Sequence, residues 1–417
     1  MTKTVSIKKG VAFIAALVMI CLAFAGIAVY NNYKDKAFAA DGNTTITLQI
    51  GNPVMTVNGE TAEIDPGRGT TPIKDNERTM VPIRAIIEAL GGEVEWDETT
   101  QTVTITFPSG GVEQPTSGTS TEATEPTETA PDVYMTTDIS AEGLMSVYEK
   151  LGFAPEGNVA VKISTGEPPA SNYLDPNLIK DLVQSVDGTI VECNTAYGGS
   201  RASTAMHKQV AEDHGFTAIA DVDIMDEDGS LEIPIARGTT IQTNYVGSHL
   251  ANYDSLISIA HFKGHAMAGF GGAIKNMSIG IASSEGKSWI HTAGVSKDSP
   301  WGGDQDGFCE SMAEANSAVV DYLDGKVVYI NVMNNLSIDC DCDGNPAAPE
   351  MADIGILAST DPVALDQACI DLVYAQKDGG GKSLVERIES RNGLHTLAHA
   401  EEIGLGSRTY NLVNIDG

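Results

Sequence analysis

Between His261 and Asn276 the chain reads His-Phe-Lys-Gly-His-Ala-Met-Ala-Gly-Phe-Gly-Gly-Ala-Ile-Lys-Asn, its densest gathering of residues able to do chemistry. Imidazoles bind metals or move protons, ammonium groups hold anions, and glycines let backbone N–H groups approach an anion closely. The segment follows an apolar run ending at Ala260, which reads as a strand. Its polar groups then sit at a strand's carboxyl end, the edge where parallel sheets bind ligands. His261, Lys263, His265, Lys275 and Asn276 are therefore candidate catalytic residues, with Gly271 and Gly272 as candidate contacts to a cofactor or small anionic ligand. The spacing is not that of a P-loop. A purely structural use, glycines for packing and lysines in solvent, fits the same residues.

A second group, Asp339-Cys340-Asp341-Cys342-Asp343-Gly344-Asn345, follows another apolar run, Val327 to Val332. Two thiols one residue apart are poorly placed to bridge each other and better placed to share a soft or borderline metal. Cys309 and His291 are candidate further ligands, which makes a mixed sulfur and nitrogen set for iron or zinc. Two free or separately paired thiols are the alternative. Asp339, Asp341, Asp343, Gly344 and Glu350 also fall at the positions of a calcium loop, although Pro346 and Pro349 interrupt it and no helix precedes it. His207 with His214, and His395 with His399, sit at helical spacings that permit a shared metal but suit core or surface roles equally. Asp361-Pro362 reads as a helix start, with Asp366 in the first turn. No G-x-S-x-G elbow, H-E-x-x-H or dinucleotide fingerprint occurs.

Those groups need a scaffold, and the chain has length for two or three domains in its 417 residues. From about Met135 to Gly417 strand and helix patterns alternate. Strands are expected at Val159–Ile163, Thr189–Cys193, Leu256–Ala260, Val327–Val332 and Ile354–Ala358. Helices are expected at 140–151, 176–186, 203–214, 308–323 and 362–375. The expected fold class is α/β, a largely parallel sheet with flanking helices, plus a small β-rich α+β N-terminal module. With 25 basic against 57 acidic residues the net charge is −32, which repels nucleic acid and anionic lipid and favours metal cations or cationic surfaces.

Lys3, Lys8 and Lys9 precede an apolar stretch from Gly10 to about Tyr30, and Ala37-Phe38-Ala39 offers a cleavage pattern. Residues 1–39 are thus a signal peptide or a membrane anchor, the only membrane contact expected, and the protein is expected to be extracytoplasmic, secreted or attached to the cell surface. Cys21 lies inside this stretch, which leaves five cysteines beyond it, an odd number. Residues 44–107 read as a compact module of strands around one helix from Val81-Pro82 to Leu90, with an Asn58-Gly59 turn, a Gly91-Gly92 cap and a turn at Asp97. Residues 108–133 lack Lys, Arg and aromatic residues and read as a disordered Ser/Thr/Pro/Glu linker.

The run through Ile50-Gly51-Asn52-Pro53, Val57-Asn58-Gly59, Arg78-Thr79-Met80-Val81-Pro82-Ile83-Arg84 and Val94-Glu95-Trp96-Asp97 resembles the copper amine oxidase N-terminal-like, or stalk, domain of surface proteins. The resemblance implies spacing or attachment to cell-wall polymers; the segment holds no His or Cys for a soft metal. Lys263-Gly264-His265, Gly271-Gly272-Ala273-Ile274-Lys275-Asn276, Gly286-Lys287, His291 and Asp353 to Asp366 together resemble the domain-of-unknown-function 362 family over about 158–415. That resemblance implies an α/β fold and a metal site, often iron–sulfur. The C-x-x-C spacings of the family's ferredoxin insertion are absent, so a four-iron four-sulfur ligand set is not complete. The functions that fit are a metal-dependent, redox-capable enzyme at the cell surface, a non-catalytic metal or ligand binder there, and a wall-associated structural protein.

Overall fold

The computed structural model describes residues 2–8, 43–57, 60–65, 70–75, 78–89, 93–97, 102–106, 130–376 and 379–416. The apolar stretch from Gly10, the Ala37–Ala39 pattern, the Asn58-Gly59 turn, the Gly91-Gly92 cap, the residues just after Asp97 and most of the linker lie outside them. The backbone divides into two units, Met1–Thr124 and Glu125–Gly417. No helix among the described residues is long and apolar enough to cross a membrane.

In the smaller unit, β1 (Thr2–Lys8), β2 (Asn43–Gln49), β3 (Val54–Val57) and β4 (Glu60–Glu63) form a four-stranded antiparallel sheet. Two hairpins follow, β5 (Ile73–Asp75) with β6 (Arg78–Met80) and β7 (Glu93–Asp97) with β8 (Thr102–Thr106), separated by α1 (Ile83–Ala89). Alternation sends Ile46, Leu48, Met55 and Val57 inward, where Ile64 and Ala85 complete a small core.

The larger unit is built on one eight-stranded sheet. In chain order its strands are β9 (Asp132–Thr136), β10 (Val159–Lys162), β11 (Thr189–Glu192), β12 (Val222–Ile224), β15 (Ser255–His261), β18 (Val327–Met333), β19 (Gly355–Ser359) and β20 (Asn411–Asn414). Their spatial order is β12-β11-β10-β15-β18-β19-β9-β20. The pairs from β12 to β18 are parallel, as is β9 with β20; only β19 runs against both its neighbours. The expected fold class therefore holds, with one reversed strand. The linker ends earlier than residue 133, because Asp132 and Val133 already belong to β9 and Val133 is fully buried.

Central strands are buried along their whole length because helices cover both faces. Val161, Ile257, Ile259, Val328 and Ile330 point to the side covered by α2 (Ala141–Lys150), α3 (Pro176–Ser185) and α4 (Thr204–Asp213). Ala160, Leu256, Val327 and Tyr329 point to the other. That side carries α5 (Ala273–Ser278), α6 (Ser284–His291), α7 (Gln305–Tyr322), α8 (Pro362–Tyr374), α9 (Lys382–Ser390) and α10 (Leu394–Glu402). Asp361 caps α8 by accepting from the amides of Val363 and Ala364, with Pro362 supplying the first helical φ. Two hairpins were not legible as strands: β13 (Ser230–Pro234) with β14 (Thr243–Gly247), and β16 (Lys263–His265) with β17 (Gly269–Gly271).

Candidate metal centre

Parallel strands β10, β11 and β15 end at one edge in Lys162, Glu192 and His261, all buried. The chain leaves β15 directly into the β16–β17 hairpin, and Gly264 allows that hairpin to lie against the segment after β18. A Cβ there would stand 2.2 Å from the Ile338 carbonyl oxygen, and the Gly264 amide donates to Ser337 O at 2.8 Å. The Cys-x-Cys segment is thereby laid over the histidine–lysine hairpin.

Asp341 fixes its position. One carboxylate oxygen is 2.8 Å from His261 Nδ1 and the other 2.7 Å from Lys263 Nζ, all three groups being buried. Burial alone raises a carboxylic acid's pKa, but the His261 and Lys263 charges outweigh it and hold the Asp341 carboxyl below its usual range. Burial likewise works against the Lys263 charge, and Asp341 reverses that. The amide of Glu167 donates to Asp341 O at 2.8 Å. Because the middle side chain turns to the hairpin, its two neighbours lie together elsewhere.

Those neighbours are the thiols. His265, Cys340 and Cys342 bring their ligand atoms within 4.8 Å of one another, a group that can hold a metal ion. Cys342 Sγ is 3.9 Å from His265 Nε2, and Cys340 Sγ accepts from the Cys342 amide at 3.3 Å. The His265 ring is oriented by the amides of Met267 and Ala268, which donate to Nδ1 at 3.2 and 2.9 Å and leave Nε2 toward the sulfurs. Burial, aided by Lys275, pushes this imidazole down to about 4, so it is neutral in ordinary buffers. A hydrogen bond from Cys342 holds Cys340 well below the usual thiol range, Lys275 assisting, while the same bond and burial push Cys342 up. The two thiols therefore titrate as a pair, with Cys340 the one shifted toward the thiolate.

Several sequence expectations need correction. His261 has both ring nitrogens committed, Nδ1 to Asp341 and Nε2 to the Asn334 carbonyl at 2.6 Å, so it fixes the loop instead of meeting a substrate. Lys263 is likewise spent on Asp341. Asn276 uses its amide on Lys162 Nζ, the Lys162 carbonyl and Ser258 Oγ, tying α5 to β10 and β15. Cys309 and His291 stand outside the ligand group. Cys309 lies in α7, taking a hydrogen bond from Gln305 Nε2 at 3.5 Å, and His291 stacks on Phe308 with Nδ1 on the Lys287 carbonyl. The anion held at the Gly271-Gly272 turn is the chain's own: Asp366 accepts from the amides of Ala273 and Ile274 at 2.7 and 3.0 Å, and a Cβ on Gly272 would fall 2.3 Å from its Oδ1.

The calcium loop is also absent. Asp341 faces the hairpin, Asp339 pairs with Arg387 at 3.2 Å, Asp343 accepts from the Asn345 amide, and Glu350 bonds Ser383. Gly344 is needed because a Cβ would come 2.3 Å from the Pro168 carbonyl oxygen.

Residues that were not anticipated lie at the same strand edge and beside Cys342. Glu192 receives Lys162 Nζ at 2.9 Å and Arg201 Nη1 at 3.3 Å, and Arg201 also reaches Glu167 at 3.2 Å. Tyr197 donates to the Cys342 carbonyl at 3.4 Å. A signal existed for the first pair: Lys162 and Glu192 are lone charges closing the apolar runs of neighbouring parallel strands. Arg201 and Tyr197 lie in a Gly-Gly loop without any local pattern.

A family model for a domain of unknown function, DUF362, matches residues 159–371, half of the chain. The chain belongs to this family. The copper amine oxidase N-terminal domain model matches residues 6–105 and 68–124. No curated protein matches. Among solved structures, the lactate racemase apoprotein from Thermoanaerobacterium thermosaccharolyticum aligns at 14% identity with a TM-score of 0.36, covering 58% of this chain and 56% of that one. A Thermotoga maritima protein aligns at 13% identity and a TM-score of 0.33, covering 60% and 58%. The chain thus spans little more than half the length of either.

Proposed function

We propose that this DUF362 domain binds one soft or borderline metal ion, iron or zinc, through Cys340, Cys342 and His265, and works outside the cytoplasm. The observation that carries the reading is the convergence of those three ligand atoms within 4.8 Å, although His265 is 75 residues from Cys340 in the chain. Thiolate and imidazole donors suit such ions, and three protein ligands leave a position open, as catalytic sites do. The donor set does not fit a four-iron four-sulfur cluster, which takes four thiolates. Metal-dependent redox chemistry is the finer form of the reading.

The second reading is capture without turnover, favoured by the closure of the centre: His265 is 6% and Cys340 7% exposed. Elemental analysis of the purified full chain beside the Cys340→Ser/Cys342→Ser variant tests what both readings share. One equivalent of iron or zinc in the first protein and none in the second supports them. Equal metal content in both sinks them.

Export rests on the lysines and apolar stretch of residues 3–30. A spanning Gly10–Tyr30 segment would put β1 and β2 on opposite sides of a membrane, so their pairing and an anchor exclude each other. N-terminal sequencing of protein recovered from the cell surface separates the cases: a start at Ala40 supports cleavage, whereas an intact N-terminus confined to the cytoplasm overturns export. The stalk-like module would then space the domain from wall polymers, and salt-sensitive wall binding is the check.

A further inference from the structure

We propose that Lys275 is the recognition group of an anion subsite beside the metal position, taking a small oxyanion such as a carboxylate or an inorganic oxyanion. The proposal rests on the metal reading above and goes beyond it by separating the two lysines of the hairpin and naming the ligand class.

Lys263, Lys275 and Arg201 act on the thiols, Lys162 and Lys287 stand at Cys193, and all but Lys275 are already committed. Lys162 pairs with Glu192, Arg201 with Glu192 and Glu167, and Lys263 with Asp341. Lys287 spends its ammonium on the carbonyls of Ala282 and Cys193 at 2.6 and 3.4 Å. Lys275 alone of the five has neither a hydrogen bond nor an ion pair from its ammonium to any described residue. A shortage of carboxylates is not the reason, since acidic residues outnumber basic ones 57 to 25.

The fold holds Lys275 where it is. Asp366 fixes the first turn of α5, and Gly271 leaves room for the lysine stem: a Cβ there would touch Lys275 Cδ at 3.4 Å and Lys263 Cε at 3.9 Å. Larger side chains at 271 would displace both stems. The Lys275 charge acts on Cys340, Cys342 and His265, the three residues of the candidate centre, and on His291 outside it. Two thiolates and a divalent cation sum to zero charge, so metal binding leaves Lys275 with no counter-ion beside an open coordination position. An oxyanion there would supply the ammonium's counter-ion and fill the open position. Lys275 and Cys342 are half-buried, open to a ligand from solvent, while His265 and Cys340 are buried.

The test uses the full chain loaded with cobalt(II), whose thiolate charge-transfer and ligand-field bands report separately on metal capture and on a new ligand. Acetate and sulfate are titrated in turn, one arm for each chemical source. Wild type should show saturable ligand-field changes with at least one of them. Lys275→Met should keep the charge-transfer band and bind that anion about 10- to 100-fold more weakly, the range for a lost hydrogen bond to a charged group. Lys275→Arg should recover most of the loss. Equal anion binding by wild type and Lys275→Met overturns the subsite, as does a wild-type spectrum that neither anion changes. Failure of wild type to develop the charge-transfer band removes the metal reading and the subsite with it, a result distinguishable from the other two.

Discussion

Two regions of the domain place histidines beside acidic or thiol groups at spacings that suggest a metal, and only one leaves ligand atoms to offer. Between α7 and α10, His395 meets Glu310 at 2.9 Å and His399 meets Glu314 at 3.0 Å, two rungs of a ladder four residues apart on each helix. Glu314 also accepts from the amides of Thr239, Thr240 and Ile241. Its partners are all within the protein, and the ladder clamps two helices and a loop. At the strand edge, by contrast, Asp341 absorbs His261 and Lys263, and that expenditure frees His265, Cys340 and Cys342 to face one another. A metal-like spacing says little until the partners of each atom have been counted.

The comparison breaks most visibly at Asp341. Asp341→Ala leaves His261 and Lys263 buried without their carboxylate, and removing one partner of a buried pair costs about 3–5 kcal/mol. Urea unfolding of the metal-free protein should show a loss of that size, and cobalt affinity should fall about 10- to 100-fold as the supporting contacts go. Unchanged stability would mean that the carboxylate does not hold the loop. The thiols sharpen the contrast in the opposite sense: Cys342→Ser should abolish stoichiometric cobalt binding yet change metal-free stability by less than about 1 kcal/mol, because Cys342 is a ligand and not a core residue. Cys309→Ser should leave metal content untouched, and a metal loss there would restore Cys309 to the ligand set.

The scaffold was legible because its central strands are largely apolar runs such as Val327–Val332, interrupted only by Asn331, and are separated by helical lengths that Asp361-Pro362 and Ser140 announce. The short hairpins were hidden, since Lys263–His265 and Gly269–Gly271 carry polar residues and glycine where a strand pattern needs apolar alternation. For the site, the sequence named His265, Cys340, Cys342 and Lys275, residues whose types have few uses together. It could not sort Lys263 from Lys275 or exclude Cys309, because those distinctions depend on which long-range carboxylate or helix each side chain meets. Asp341 was read as a calcium ligand for the same reason: its partners lie 78 and 80 residues away.

The effect expected of the helix ladder appears as a pH slope. The hydrogen bond that His399 donates to Glu314 raises the His399 pKa in the folded protein, against a value near 6.5 for an unfolded chain. A raised basic group contributes stability that is fully present below about pH 6.5 and is lost as pH climbs through its folded value. The unfolding free energy should therefore fall as pH rises from 6 through the folded value of His399, and His399→Gln, which keeps a donor but no titrating charge, should flatten that decline. Glu314 limits the acid side: its carboxyl, held down to about 2 against burial chiefly by His399 and then by backbone amides, contributes stability above about pH 4.3 that is lost on further acidification. Because both shifts describe one interaction, the variant should reduce the alkaline decline and the acid decline together. A variant that retains the full alkaline slope would assign that slope to other groups, and the ladder would then be a packing contact with no pH-dependent share in stability.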